Sequence, residues 1–298
     1  MFNRRARSTT GVQVARQCWT LLTENKQWLS IPIFSAVGVA IVTVIFGIIG
    51  LVAFTLLSTT TENNQNSSSM MNMAGVILGL LYYFVAYTII NYSEVALVSV
   101  VLMKIGNHKT VPTAADGFAV ANKRLGAILT FSALSATVGT IARMIGSGNS
   151  KNLVMFALSR LLAIIIQGTW MFMTLMVTPV IAVENLDALA AIGRSWSLFK
   201  QTWGEQVVGR FTLGLFGLLL TLAAMLPGLL VLGLGMALNS PAALIGGIAV
   251  LVLGIVIISL LTNAASGIFK AVLYHYATEG NTGGILDAAT VSQVFVAR

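Results

Sequence analysis

Residues 74–103 read AGVILGLLYYFVAYTIINYSEVALVSVVLM, a run whose one charged residue is Glu94. Wound as a helix at about 1.5 Å per residue, it reaches roughly 45 Å, more than the ~30 Å of bilayer hydrocarbon. A membrane β-strand would need about ten residues of alternating polarity, and this run does not alternate. It therefore reads as a transmembrane helix. Comparable apolar runs cover 30–57, 125–145, 153–182, 208–236 and 242–274. The expectation is an all-α, polytopic transmembrane helical bundle of about six spans, forming one membrane domain over 1–298. Segments 1–27 and 275–298 flank it. The run over 125–145 is rich in Ala, Ser and Thr, as suits a helix packed inside a bundle.

Composition agrees. Hydrophobic residues are 57% of the chain and charged residues 9%, against about 25% charged in soluble proteins. Mean hydropathy is +0.89. The net charge of +8 sits mainly in short segments between spans, which indicates topology and anionic lipid rather than nucleic acid. Fourteen Lys and Arg residues fall on one side of the six-span arrangement and two, Arg143 and Lys151, on the other, with Arg160 inside a span. The positive-inside rule then places both termini in the cytoplasm. The first run is too long for a signal-peptide core and is expected to be retained.

Segments 11–27, 113–124 and 186–203 precede the first, third and fifth spans. Each mixes apolar and charged residues as an amphipathic surface helix does. The expected architecture is three helical hairpins, each introduced by a cytoplasmic surface helix, with a fourth such segment at 284–298. Asp187 is placed to cap the helix of 186–203. Gln17-Cys18-Trp19-Thr20-Leu21-Leu22-Thr23 is echoed by Arg194-Ser195-Trp196-Ser197-Leu198-Phe199-Lys200. Duplication and convergence of interfacial helices both account for that echo.

Chemistry-bearing motifs are sparse. The chain has no P-loop, Rossmann glycine pattern, HExxH or GxSxG. A lone cysteine, Cys18, precludes an intrachain disulfide, and His108 and His275 stand near membrane edges, so no metal or cofactor is expected. Acids just outside the spans (Asp116, Glu184, Asp187, Glu205 and Asp287) read as caps or partners of neighbouring bases, and the chain is not expected to be an enzyme. The residues of interest are polar groups within spans. Asn91 and Glu94 share a face of the second span. Arg160 and Gln167 are two turns apart in the fourth, and Asn263 and Lys270 lie in the sixth. An intramembrane carboxylate such as Glu94 is either a cation or proton site or a structural partner for a base. Glycines in spans five and six permit close helix approach. Pro227 is placed to bend span five, and Pro179 and Pro241 to mark helix ends.

An ordered series of residues carries a family resemblance. It begins with Trp19, Glu24-Asn25-Lys26, Val111-Pro112-Thr113 and Asp116-Gly117. It continues with Ala136-Thr137-Val138-Gly139, Trp170, Pro179-Val180, Glu184, Ser195-Trp196 and Thr202-Trp203-Gly204-Glu205, and ends with Leu273-Tyr274, Tyr276-Ala277, Gly280 and Asp287. In these the chain resembles an uncharacterised prokaryotic family of six-span integral membrane proteins, a domain of unknown function. The resemblance implies the six-span architecture and a prokaryotic cytoplasmic membrane, and brings no catalytic residues. The leading functional expectation is a non-enzymatic scaffold, assembly partner or membrane-organising component. It would contact membrane lipids, anionic ones included, and a second copy or another membrane protein. The alternative is a small-solute or ion transporter or channel using the polar residues of the bundle.

Overall fold

A computed structural model describes residues 20–60, 67–106, 111–147, 152–201, 203–238, 240–281 and 283–284. The surface helices expected over 11–27 and 284–298 lie largely outside these residues, as do Cys18 and His108. The described residues are all-α, with nine α-helices: α1 (Ser30–Thr60), α2 (Ser67–Gly106), α3 (Ala114–Lys123), α4 (Leu125–Gly146), α5 (Leu153–Met173), α6 (Val177–Glu184), α7 (Ala188–Gln201), α8 (Trp203–Ala237) and α9 (Pro241–Glu279). Six stretches are long and apolar enough to cross a bilayer: Lys26–Leu56, Met73–Gly106, Leu125–Gly146, Leu153–Glu184, Leu220–Ala237 and Pro241–Glu279. The protein is a six-span membrane protein. The Ala- and Ser-rich third stretch is the most buried of the six.

Helix boundaries follow from local chemistry. Asn152 accepts from the Val154 N–H at 3.0 Å and opens α5. Ser240 caps α9 with Pro241 at its first position, where a missing N–H costs nothing. Asp187 accepts from the Ala190 N–H at 2.8 Å and starts α7 as the sequence suggests. Thr113 and Asp116 form a reciprocal cap at the start of α3. The Asp116 carboxylate accepts from the Thr113 N–H (2.8 Å) and hydroxyl (2.7 Å), while the Asp116 N–H donates back to the Thr113 Oγ1.

The fourth span is broken. Pro179 has no N–H to donate to the Leu175 carbonyl, and its ring crowds that group. The helix accordingly stops at Met173 and restarts at Val177. Pro179 thus sits in the first turn of a new helix. Pro227, by contrast, lies inside the continuous α8.

The chain divides into two compact units. One holds the described residues of Met1–Ile33, Leu97–Gly117 and Leu198–Arg298, the other Phe34–Ala96 and Phe118–Ser197. In the first, the Trp28 indole N–H, fully buried, donates to the Pro112 carbonyl at 2.9 Å. Helices α8 and α9 pack closely along their length. A Cβ added to Gly228 would lie 2.6 Å from the Leu251 Cα, and one on Gly254 2.7 Å from the Ala224 carbonyl oxygen. Only hydrogen side chains permit that approach. In the second unit, Gly38 faces Ile89 and Gly50 faces Leu78, so α1 runs antiparallel to α2. Gly146 likewise meets Ala163 across α4 and α5.

Burial is uneven along the helices. Val95 to Val101 of α2 and all but Lys270 of Ile268 to Tyr274 of α9, at the ends rich in basic residues, are buried, whereas Met73 to Leu81 and Ile245 to Leu253 are mostly exposed. The exposed halves are the ones lipid would cover.

Two outcomes test this account. Gly228→Ala should lower stability by about 1–3 kcal/mol through overpacking in detergent unfolding. Gly233→Ala, where an added Cβ meets open space, should be neutral or gain up to about 1 kcal/mol of helix propensity. Secondly, the hydrogen bonds from the Thr113 backbone and side chain hold Asp116 below the usual aspartate range. The cap should therefore stabilise α3 above about pH 3.9 and be lost as pH falls through the lowered value. The melting difference between the protein and Asp116→Asn should be present at neutral pH and vanish on acidification.

Candidate functional site

The second unit contains a line of polar contacts between α2 and α4. Tyr83, Tyr87 and Asn91 recur every four residues on α2 and so share one face. The Asn91 amide, buried in the span, donates to the Ser132 hydroxyl at 3.0 Å. Ser132 spends its own hydrogen on the Ile128 carbonyl, 2.7 Å away, which leaves a lone pair for Asn91. One turn towards the base-poor end, the Tyr87 hydroxyl lies against Gly139, where an added Cβ would sit 3.6 Å from it. A turn further, the Arg143 guanidinium covers the Tyr83 ring at 4.1 Å, a cation–π contact. Beside it Tyr82 shares a hydrogen bond of 3.1 Å with Thr43 of α1.

From Tyr83 to Asn91 this seam rises about 12 Å along α2, a large part of one bilayer leaflet. Glu94, half-buried, continues the same face by three residues. Ser135 of α4 is buried. Two further hydroxyls, Ser93 of α2 and Thr140 of α4, are buried with no hydrogen-bond partner in the protein.

A second polar group closes the broken fourth span. The break would strand the Met176 N–H, but the buried Ser195 hydroxyl of α7 accepts it at 3.0 Å. Glu184 at the end of α6 accepts from the Arg194 Nε with both oxygens at 3.1 Å. Ala188, Ala191, Ile192 and Ser195 line one buried face of α7. The helix of 186–203 therefore turns this face to protein rather than lying free on lipid. The apolar side of α3 is engaged likewise. Phe118 stacks on Tyr92 at 5.6 Å and meets Phe34 edge-on at 5.3 Å, and Tyr92 donates to Asn122 at 3.0 Å.

The six intramembrane residues marked in the sequence are distributed over both units. Asn91, Glu94, Arg160 and Gln167 belong to one, Asn263 and Lys270 to the other. Asn91 is buried, Glu94 and Lys270 are half-buried, and Arg160, Gln167 and Asn263 are exposed. The partner of Asn91 comes from α4 and not from α5, while Arg160 lies over the Phe156 ring at 5.3 Å. Ser132, Tyr83, Tyr87, Thr140 and Arg143 were not marked. For the tyrosines the four-residue spacing that leads to Asn91 is the signal available in the sequence. Among the described residues no three His, Cys, Asp or Glu side chains converge as metal ligands would.

The family model for DUF6159, described as a family of unknown function, matches residues 73–284. No curated protein matches the chain.

In double-mutant cycles, interhelical hydrogen bonds within membranes average about 0.6 kcal/mol. Removing the Asn91 side chain as Asn91→Ala should cost on that order in stability, while Ser132→Ala, which leaves the buried Asn91 amide without its acceptor, should cost about 1–3 kcal/mol. Reversible unfolding in mixed micelles measures both. A loss of several kcal/mol would mean that the pair holds the unit together.

Proposed function

We infer that this chain, which belongs to the DUF6159 family of unknown function, conducts a small polar solute or ion across the membrane along the α2–α4 seam. The observation that carries the reading is the seam itself: the buried Asn91–Ser132 pair, with Tyr87, Tyr83 and Glu94 on the same face of α2. Polar groups inside a bilayer are costly and usually face a partner or a pathway. Asn91, Tyr87 and Glu94 along one face of α2 offer a passing solute or water groups to bond with. Glu94, on the same face, adds a carboxylate towards the base-rich end.

A scaffold needs docking area, which free amphipathic helices at the membrane surface would offer. The engagement of Phe118 in α3 and of Ser195 in α7 with their own chain leaves a scaffold less support than transport. In the reading preferred here the protein is not an enzyme. Three hairpins, α1–α2, α4–α5 with α6, and α8–α9, are each introduced by a helix at the cytoplasmic side. Both termini lie in the cytoplasm of a prokaryotic cell, and anionic lipid meets the base-rich ends.

Purified protein in vesicles should pass potassium, protons or glycerol faster than protein-free vesicles. Asn91→Leu and Ser132→Ala should change that rate without loss of folded protein. Vesicles no leakier than the protein-free control to all three probes would sink the reading, as would unchanged flux in both variants.

A further inference from the structure

Helix α5 poses a problem that the seam does not solve. None of its residues is buried, yet it carries an exposed Arg160 and an exposed Gln167. Gln167 lies fourteen residues after Leu153, roughly 21 Å along a helix that must cross ~30 Å of hydrocarbon. No described residue hydrogen-bonds its amide. Lipid tails offer the amide nothing to bond with. Arg160 is placed differently. It is seven residues, about 10.5 Å, nearer the base-poor end, from which a long side chain can reach phosphate.

The two residues fall on one stripe with Ile164, Gly168 and Met171, at helical spacings of three and four. This stripe flanks the contacts that α5 makes with α4, which run through Ala163 to Gly146 and through Trp170 to Phe131. Around Gly168 an added Cβ would meet open space, so a second backbone can come close beside Gln167.

We propose that this stripe is the interface to a second copy of the chain, with α5 packed on α5 about a two-fold axis and the two Gln167 amides hydrogen-bonded to each other. A two-fold axis brings identical residues together. A primary amide carries both donor and acceptor, so it is complementary to itself, as neither Arg160 nor the aliphatic residues of the stripe are. The two Arg160 side chains then lie two turns from the crossing point, at the headgroup level, where water and phosphate screen their repulsion. The proposal stands apart from the conduction reading, since no seam residue takes part in it.

The test is made on the full chain in lipid vesicles, in a Cys18→Ser background, by energy transfer between separately labelled copies over a range of protein-to-lipid ratios. Association is expected, weakened about threefold by Gln167→Leu and retained by Gln167→Asn, as befits one interhelical amide pair. Gln167→Cys should form an oxidised dimer in far higher yield than Leu158→Cys, which is also exposed but lies on another side of α5. The cysteine pair decides the matter should Gln167→Leu fail to fold. Copies that stay monomeric at every ratio, association untouched by Gln167→Leu, or equal crosslinking at positions 158 and 167 would each overturn the proposal.

Discussion

A peptide group in hydrocarbon can bond only to other protein groups, and the fourth span shows what that constraint demands. Pro179 removes one helical hydrogen bond and forces the chain to restart after Met173. The exposed Met176 N–H would be costly in a lipid or apolar setting. A hydroxyl from Ser195, nineteen residues later, accepts it. That one bond gives α7 its place against α6, and the Glu184–Arg194 pair adds a second tie between them. One face of a helix whose pattern suits a membrane surface is thereby turned to the protein. The same demand explains why caps such as Asn152, Asp187 and Ser240 cluster at the ends of the spans. Where a helix begins or restarts, a side chain has to stand in for the missing backbone partner.

The α2–α4 seam answers the constraint with side chains. Asn91 donates to Ser132, and Ser132 donates to its own helix. Tyr83 takes Arg143 on its face. A seam evolved for adhesion alone could replace such groups with aliphatic ones, since apolar surfaces pack well without hydrogen bonds. Polar groups retained within a span carry a desolvation cost. That cost is intelligible if the groups also serve a molecule that comes and goes.

Much of the architecture was legible because it depends on local chemistry. Six apolar runs longer than a bilayer, a proline after a serine at 240–241 and an aspartate ahead of an Ala-rich helix at 187 are patterns within a few residues. The candidate site was legible only in part. Asn91 stood out as an amide within a span, but its partner Ser132 is one of many small hydroxyls and gains meaning only from the register of α4 against α2. Tyr83 and Tyr87 looked like ordinary interfacial aromatics. The break at 174–176 was hidden for a similar reason. Pro179 announces a disturbance, but whether it ends a helix or opens a new one depends on Ser195, which arrives from a different element. Long-range register is the quantity a single sequence does not display.

The uneven burial along α2 and α9 divides the chain's own text into two kinds. Near the base-rich ends, where Val95 to Val101 and Ile268 to Tyr274 interlock with neighbours, each side chain specifies a shape, and exchanging one branched residue for another alters the fit. Towards the other ends, Ile245, Ile248 and Leu253 point outward. A fluid of acyl chains takes the form of whatever it meets, so those positions record oiliness and length and little else. The protein is in effect written in two alphabets, one of contours and one of thickness, and the boundary between them runs across the middle of its longest helices.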